Sequence, residues 1–440
     1  MKKILLSFGG LLFSTVLTFG QANIVPAKPQ SGPIVITGAT IHVGNGTVIN
    51  NGYIAFNKGK ITAVGEGAAP NITGATVVDA SGKQLYPGFI CPITTLGLVE
   101  IEEGARGTVD DTETGDLNPH VRSLIAFNTD SKVIPTVRSN GILLAQPTPE
   151  GGTISGQSSV MMLDGWNWED AAYKKDIGIH LTWPVARATG RGRRAAFALA
   201  GQTQESPAEL AQKSIDNLNS LFTEAQGYAA ETHHKVNNIR FEAMRGLFNG
   251  TKKLFINADG AKEIEQAVSF AKKFNLSAVI VGGKESYLVA DDLKQNNIPV
   301  IIKETQTLPD KDEDDVYLPY KLPHLLQEAG VLYGLTGIGF WRQRNLPFEA
   351  GEAVGYGLTK EQALSMITLN NARILGIDKT TGTLEVGKDA NLFVSKGDAL
   401  DMLGLDVTDE YIQGRTINLD NLHKQLYKKF SGKYGLETKL

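Results

Sequence analysis

Two stretches of this chain gather residue types that can do chemistry. The first is Gly156-Gln157-Ser158-Ser159 followed by Asp164-Gly165-Trp166-Asn167-Trp168-Glu169-Asp170. Two indoles flanked by acids can stack a sugar or peptide, which makes Gln157, Trp166 and Trp168 candidate ligand contacts. Asp164, Glu169 or Asp170 could then serve as acid or base. The competing reading is a hairpin that packs its aromatics on a rim and binds nothing. A serine hydrolase is not indicated, because no G-x-S-x-G elbow surrounds Ser158 or Ser159. The second stretch is Asn118-Pro119-His120-Val121-Arg122. An arginine can grip a carboxylate with two parallel hydrogen bonds, so His120 and Arg122 are candidates for holding or acting on a substrate carboxylate or amide. Pairing with nearby acids is the structural alternative.

Other titratable clusters are weaker. Asp110, Asp111, Glu113 and Asp116 could hold a hard cation such as Ca²⁺ or Mg²⁺, and so could Asp310, Asp312, Glu313, Asp314 and Asp315. Solvated loops explain both, and neither spacing matches an EF-hand. His233 and His234 fall on an expected helix, where neighbours point about 100° apart and do not share a metal. His42, His180, His324 and His423 carry no pattern and read as ordinary residues.

The stretch with its chemistry removed is Pro87-Gly88-Phe89-Ile90-Cys91-Pro92-Ile93-Thr94-Thr95-Leu96-Gly97. It resembles the start of the barrel in the amidohydrolase superfamily, P-G-[LF]-I-D-x-H-x-H-x-G. Further phrases carry the resemblance in family order, among them Ile36-Thr37-Gly38-Ala39-Thr40-Ile41, Gly59-Lys60-Ile61-Thr62-Ala63-Val64-Gly65, Asn370-Asn371-Ala372-Arg373 and Gly382-Thr383-Leu384-Glu385-Val386-Gly387-Lys388-Asp389-Ala390. A looser similarity is to imidazolonepropionase-like members, through Asn118–Arg122 and Gly151–Gln157. The resemblance implies hydrolysis of C–N bonds in amides, cyclic amides or small peptides by water activated on zinc or another divalent ion. It implies two histidine ligands after the first barrel strand, one each after strands 5 and 6, and an aspartate after strand 8. This chain has Ile93, Thr95, Asn257, Val281 and, at the last place, Ile338 or its neighbour Gly337, and no defensible bridging lysine on strand 4. Zinc is held by imidazole, thiolate or carboxylate. These five side chains supply none of them, so the expectation is no bound metal and no cofactor.

The elements that must position these residues fall into two patterns. Ile34–Ile36, Thr40–Val43, Tyr53–Phe56 and Lys60–Gly65 are short β runs broken by Gly and Asn. Asn50-Asn51-Gly52 and Asn57-Lys58-Gly59 are read as hairpin turns. Beyond Pro87, apolar strands alternate with amphipathic helices: Phe89–Ile93, Gly141–Ala145, Leu254–Ala258, Ser277–Val281, Ile298–Ile302 and Val331–Leu335. Residues 153–249 are expected to hold the strands needed to complete eight. The expected fold class is α/β: a (β/α)8 TIM-like barrel over residues 87–379, with a β-sandwich domain built from 34–86 and 380–420, as the resemblance implies. A doubly wound sheet is the rival, without a glycine-rich dinucleotide turn to support it.

The ends complete the plan. Met1-Lys2-Lys3, the apolar run from Ile4 to Phe19 and Gly20-Gln21-Ala22 read as a signal peptide over residues 1–22, so the expected location is periplasmic or secreted. Residues 23–33 form a Pro-rich linker, and 421–440 a closing helix and tail, with Leu419, Leu422, Leu426 and Phe430 at helical spacing. No later run is long and apolar enough to span a membrane. A single cysteine, Cys91, rules out an internal disulfide. A net charge of −4 gives no basic face for nucleic acid, and Arg191, Arg193 and Arg194 among glycines read as a surface loop. The expected protein is an exported, non-catalytic amidohydrolase relative that works as a homo-oligomer or beside an active relative. The alternatives are a hydrolase with a displaced site and a periplasmic binding protein for small amides or peptides.

Overall fold

The computed structural model describes residues 25–101, 107–186, 205–309 and 313–436. The leader at 1–22, the start of the linker, the arginines at 191, 193 and 194, Asp310, Asp312 and the last four residues lie outside the described residues.

Five strands come first: β1 (Ile34–His42), β2 (Val48–Asn57), β3 (Lys60–Glu66), β4 (Thr76–Asp79) and β5 (Gln84–Pro87). The barrel strands follow as β6 (Phe89–Thr94), β7 (Ile142–Pro147), β8 (Ile154–Met162), β9 (Ala172–Thr182), β10 (Lys253–Ala258), β11 (Ala278–Gly282), β12 (Val300–Ile302) and β13 (Tyr333–Leu335). The last strands are β14 (Leu392–Ser395), β15 (Val407–Ile412) and β16 (Arg415–Thr416).

β6 to β13 hydrogen-bond in chain order as one eight-stranded sheet, and the two strands expected between 153 and 249 are β8 and β9. The expected all-parallel repeat is not kept. β8 pairs antiparallel with both β7 and β9. The cause is loop length: a parallel return needs a dozen or more residues, and only the short turn 148–153 separates β7 from β8. The β8–β9 hairpin loop therefore sits at the end of the barrel opposite the C-terminal tips of the other strands.

Side chains alternate along each strand. In β10, Leu254 and Ile256 pack outward with the helices, and Phe255 joins Ile90, Leu144, Val279, Val281 and Ile301 in an inner cluster. Helices such as Ala261–Lys273 cover the outside with Ile264, Ala267, Val268 and Ala271 buried. The ring closes between β13 and β6 through side chains and loops, not a ladder. Thr336 Oγ1 accepts from Ile93 N (3.0 Å) and donates to its carbonyl (2.5 Å), and Thr95 N donates to Gly339 O (2.9 Å). Asn371, buried on the helix Leu369–Leu375, donates to Ile90 O (2.8 Å) and Leu335 O (2.9 Å).

The first and last strands share a second sheet, in the order β16-β15-β14-β5-β1-β2-β3 with β4 on β1. Its path branches at β1, whose first half pairs β4 and whose second half pairs β5. Ile36, Ile41, Ile54, Phe56, Leu85, Leu392 and Tyr411 bury one shared core. The Asn57-Lys58-Gly59 hairpin is present, with Lys58 and Gly59 at φ +49° and +77°. The turn expected at Asn50–Gly52 is not. Asn51 does have positive φ (+45°), but within β2 at a register shift, and the chain reverses earlier, where Val43 N bonds Thr47 O (2.9 Å).

A buried ionic cluster joins sheet to barrel. Arg138 lies 2.9 Å from Asp164 and 3.7 Å from Glu410, and Arg415 lies 2.8 Å from the other Asp164 oxygen. Glu410 has no surface exposure, and burial pushes its carboxyl up to about 8.

Candidate functional site

The C-terminal tips of the barrel strands surround a cavity of about 300 Å³. The period-two rule sends Asn257 inward two residues after Phe255, and Lys303 inward two after Ile301. Ile93 and Thr94 come from β6, Thr148 and Glu150 from the loop after β7, Ser155 from β8, His180 and Thr182 from β9, and Ile338 from the segment after β13.

Below this rim sits His180. It is buried, stacks on Phe255 at 4.9 Å between centroids, and its Nε2 lies 2.7 Å from Ser158 Oγ. Burial pushes its pKa down to about 3, so the ring is neutral near pH 7. The unfolded chain takes up this proton near pH 6.5. The native state resists protonation until about pH 3, so stability is lost as pH falls through that window. The His180 ring signals should therefore stay unchanged by NMR from about pH 8 down to about pH 5, where an exposed histidine titrates. A midpoint near the ordinary value would refute the buried placement. Lys303 is half-buried in the same cavity and makes no ion pair with any described residue.

Of the five positions where the resemblance implies metal ligands, Ile93, Asn257 and Ile338 meet at this cavity. Val281 is buried in the inner apolar cluster beneath it, and Thr95 is buried with its backbone N–H spent on Gly339. Two aliphatic groups and one neutral amide at the rim do not fit a zinc ion, which needs three or four imidazole, thiolate or carboxylate donors. Among the described residues no group of three or more His, Cys, Asp or Glu could hold a metal ion.

The other candidates lie elsewhere. Trp166, Trp168, Glu169 and Asp164 occupy the β8–β9 hairpin at the far end of the barrel. Trp166 is exposed, Trp168 packs on the core, and Asp164 is held by Arg138 and Arg415. Arg122 pairs with both carboxylate oxygens of Asp176 (2.9 and 2.8 Å). Gln157 accepts from the Lys252 ammonium, which also reaches Ala243 O on the helix Ile239–Phe248. His120 Nδ1 is buried without a hydrogen-bond partner among the described residues. The acidic loop does reach the cavity side, where Asp116 accepts from Thr153 N (2.8 Å) and Asp111 O from Glu150 N (2.6 Å). His234 stacks on Tyr228 (3.5 Å), apart from any cluster of metal donors. Sequence reasoning passed over His180 and Lys303. The available signal was period-two alternation: Lys303 follows the inward Ile301 by two, and His180 alternates with the outward Ile179 and Leu181.

A neighbouring cavity of about 220 Å³ lies over the tips of β10 to β12 and shares Lys303, with Asp259, Lys284 and Glu285 on its wall. Asp259 Oδ1 is buried there without a hydrogen-bond partner among the described residues.

The family model described as "Amidohydrolase family" matches residues 343–421, the segment that holds the seam residue Asn371 and the last strands. Over 114 residues the chain is 33% identical to amidohydrolase tasK of Hapsidospora irregularis, a match covering 24% of this chain and 12% of that much longer protein. An amidohydrolase from Thermotoga maritima MSB8 superposes with a TM-score of 0.71 at 25% identity, covering 88% of this chain and 99% of that one. A prolidase complexed with N-methylphosphonate-L-proline (TM-score 0.56, 13% identity, 88% and 99% covered) and molinate hydrolase (0.55, 13%, 89% and 95%) share the fold. The chain thus carries an amidohydrolase-family segment, running from the last barrel helices into the second sheet, and shares its fold with a solved amidohydrolase.

Proposed function

We propose that this protein is a non-hydrolytic relative of the amidohydrolases that acts outside the cytoplasm and holds a small amide or peptide at the barrel mouth, by itself or beside an active partner subunit. The observation that carries this reading is the rim chemistry: Ile93, Asn257 and Ile338 stand where the resemblance implies metal ligands. Without a metal, attack on an amide needs another means of activating water. The neutral, buried His180 is too weak a base at neutral pH to supply it. What the cavity retains is suited to binding: Lys303, which makes no ion pair with any described residue, for a carboxylate, and Thr148, Thr182 and Asn257 to exchange hydrogen bonds with an amide.

Elemental analysis of the purified, zinc-supplemented protein should find far less than one transition metal per chain. A panel of dipeptides and N-acyl amino acids should raise the melting temperature without being cleaved, and Lys303→Met should remove that response. Stoichiometric metal whose removal abolishes amidase activity would overturn the proposal. The second reading, a hydrolase with a displaced site, rests on the Asp259 oxygen in the adjoining cavity that no described residue hydrogen-bonds. It requires metal-independent cleavage that Asp259→Asn abolishes.

A further inference from the structure

The helix Leu422–Tyr434 is capped at Asn421, whose side chain accepts from Lys424 N (3.0 Å), and stops at Gly435 in the left-handed region. Its first turn is tied to the barrel, where Asn421 Nδ2 donates to Ser139 Oγ (3.1 Å) and Leu422 is half-buried, and near its other end Ser431 is buried. Beyond that turn an apolar stripe faces outward. Leu426 is 38% exposed, Tyr427 43%, Phe430 45% and Tyr434 65%. Leu426, Phe430 and Tyr434 stand four residues apart, on one face of the helix. Lys424, Lys428, Lys429 and Lys433 share the same thirteen residues with no Asp or Glu, in a chain whose net charge is −4. Lys429 Nζ lies 5.7 Å from the centre of the Phe430 ring and Lys433 Nζ 5.2 Å from that of Tyr434. At about 100° per residue, Lys429 and Lys433 border one edge of the stripe, while on the other side the buried Ser431 separates it from the half-buried Lys424 and the exposed Lys428.

We infer that this helix docks the protein on an anionic phospholipid surface, lying in the headgroup plane with its apolar stripe down and its lysines on the lipid phosphates. The charge pattern selects this occupant. Lysine is depleted in the cores of protein interfaces, but it is the usual polar-face residue of helices that lie on anionic membranes. Its long stem lets the ammonium reach the headgroups beside a buried ring. Tyrosine suits the same depth, with an apolar ring and a wet hydroxyl. The contact is superficial, since no described helix is long and apolar enough to cross a membrane. The inference is independent of the ligand proposed for the barrel mouth.

The test is flotation of the full chain with vesicles of phosphatidylcholine alone and of phosphatidylcholine mixed with phosphatidylglycerol, read as the ratio of the two binding constants. An apolar leader, if retained, contributes equally to wild type and variants. The ratio should favour the anionic vesicles, fall on adding salt, and drop about five-fold for each lysine changed to glutamine. The four-lysine variant should then lose more than about a hundred-fold. Phe430→Ser should weaken binding while the thermal unfolding midpoint stays unchanged, because the side chain is exposed. Equal ratios for wild type and the four-lysine variant would overturn the inference. So would a dimer in sedimentation that Phe430→Ser dissociates while vesicle binding is absent, since the stripe would then be covered by a second copy of the chain.

Discussion

Arg138→Ala will lower the unfolding free energy by about 3–5 kcal/mol, the cost of leaving buried charge uncompensated. The guanidinium is 3% exposed and lies between Asp164 and Glu410, and it also donates to the Leu163 and Asn418 carbonyls. Removing it leaves Asp164 to Arg415 and the Ala27 backbone N–H, and leaves Glu410 with Lys424, beyond ion-pair distance, as its remaining cation. Burial already favours the protonated form of Glu410, up to about pH 8. Its folded pKa lies above the unfolded value, so its ionisation subtracts stability as pH rises through that range. Without Arg138 the opposition is stronger, and the loss should be larger at alkaline pH than at pH 5. Urea unfolding at both values checks the sign. A loss below about 1 kcal/mol at both, the size of a surface pair, would show that the cluster is hydrated.

Asn371→Ala should cost about 2–4 kcal/mol, because two buried carbonyls lose the donor they share at the seam and each unsatisfied group costs about 1–3 kcal/mol. The amide nitrogen ties Ile90 O to Leu335 O across the gap between β6 and β13, and this fixes the flip of the group. Its oxygen then faces Gly334, where a methyl group would come within 1.9 Å of it. Asn371→Asp is the sharper test. It keeps the shape, removes the donor and sets a negative charge against two carbonyl oxygens, so it should destabilise more than the alanine. If both variants unfold like wild type, the seam is held by other contacts, such as Thr336 to Ile93.

Much of this was legible in the sequence, and the unread parts have physical reasons. Strands β6, β7 and β10 to β13 announce themselves as apolar runs, because both faces are buried. β8 does not: Ile154-Ser155-Gly156-Gln157-Ser158-Ser159 is buried throughout yet polar, since its inward residues face the polar upper barrel, where Ser158 meets His180. Its reversal was written in the short spacing from Pro147 to Ile154. The convergence of Ile93, Asn257 and Ile338 on one cavity followed from placing each at a strand tip. The Trp166 and Trp168 stretch read as a candidate wall because a sequence does not say which end of a barrel a hairpin occupies. That end was decided by the direction of β8. Asn371 stood in the sequence only as part of a family-like phrase, because the two carbonyls it joins lie on strands far apart in the chain.

Pairing of Leu392 with Pro87 and of Val394 with Leu85 has a consequence for biosynthesis. A ribosome delivers β5 long before β14, so one margin of the early sheet must wait, with its amides and carbonyls unmatched, while the whole barrel is made. Such a margin invites mispairing with other chains. The nascent polypeptide therefore gains from a holding factor, or from delayed compaction, until its final strands are released.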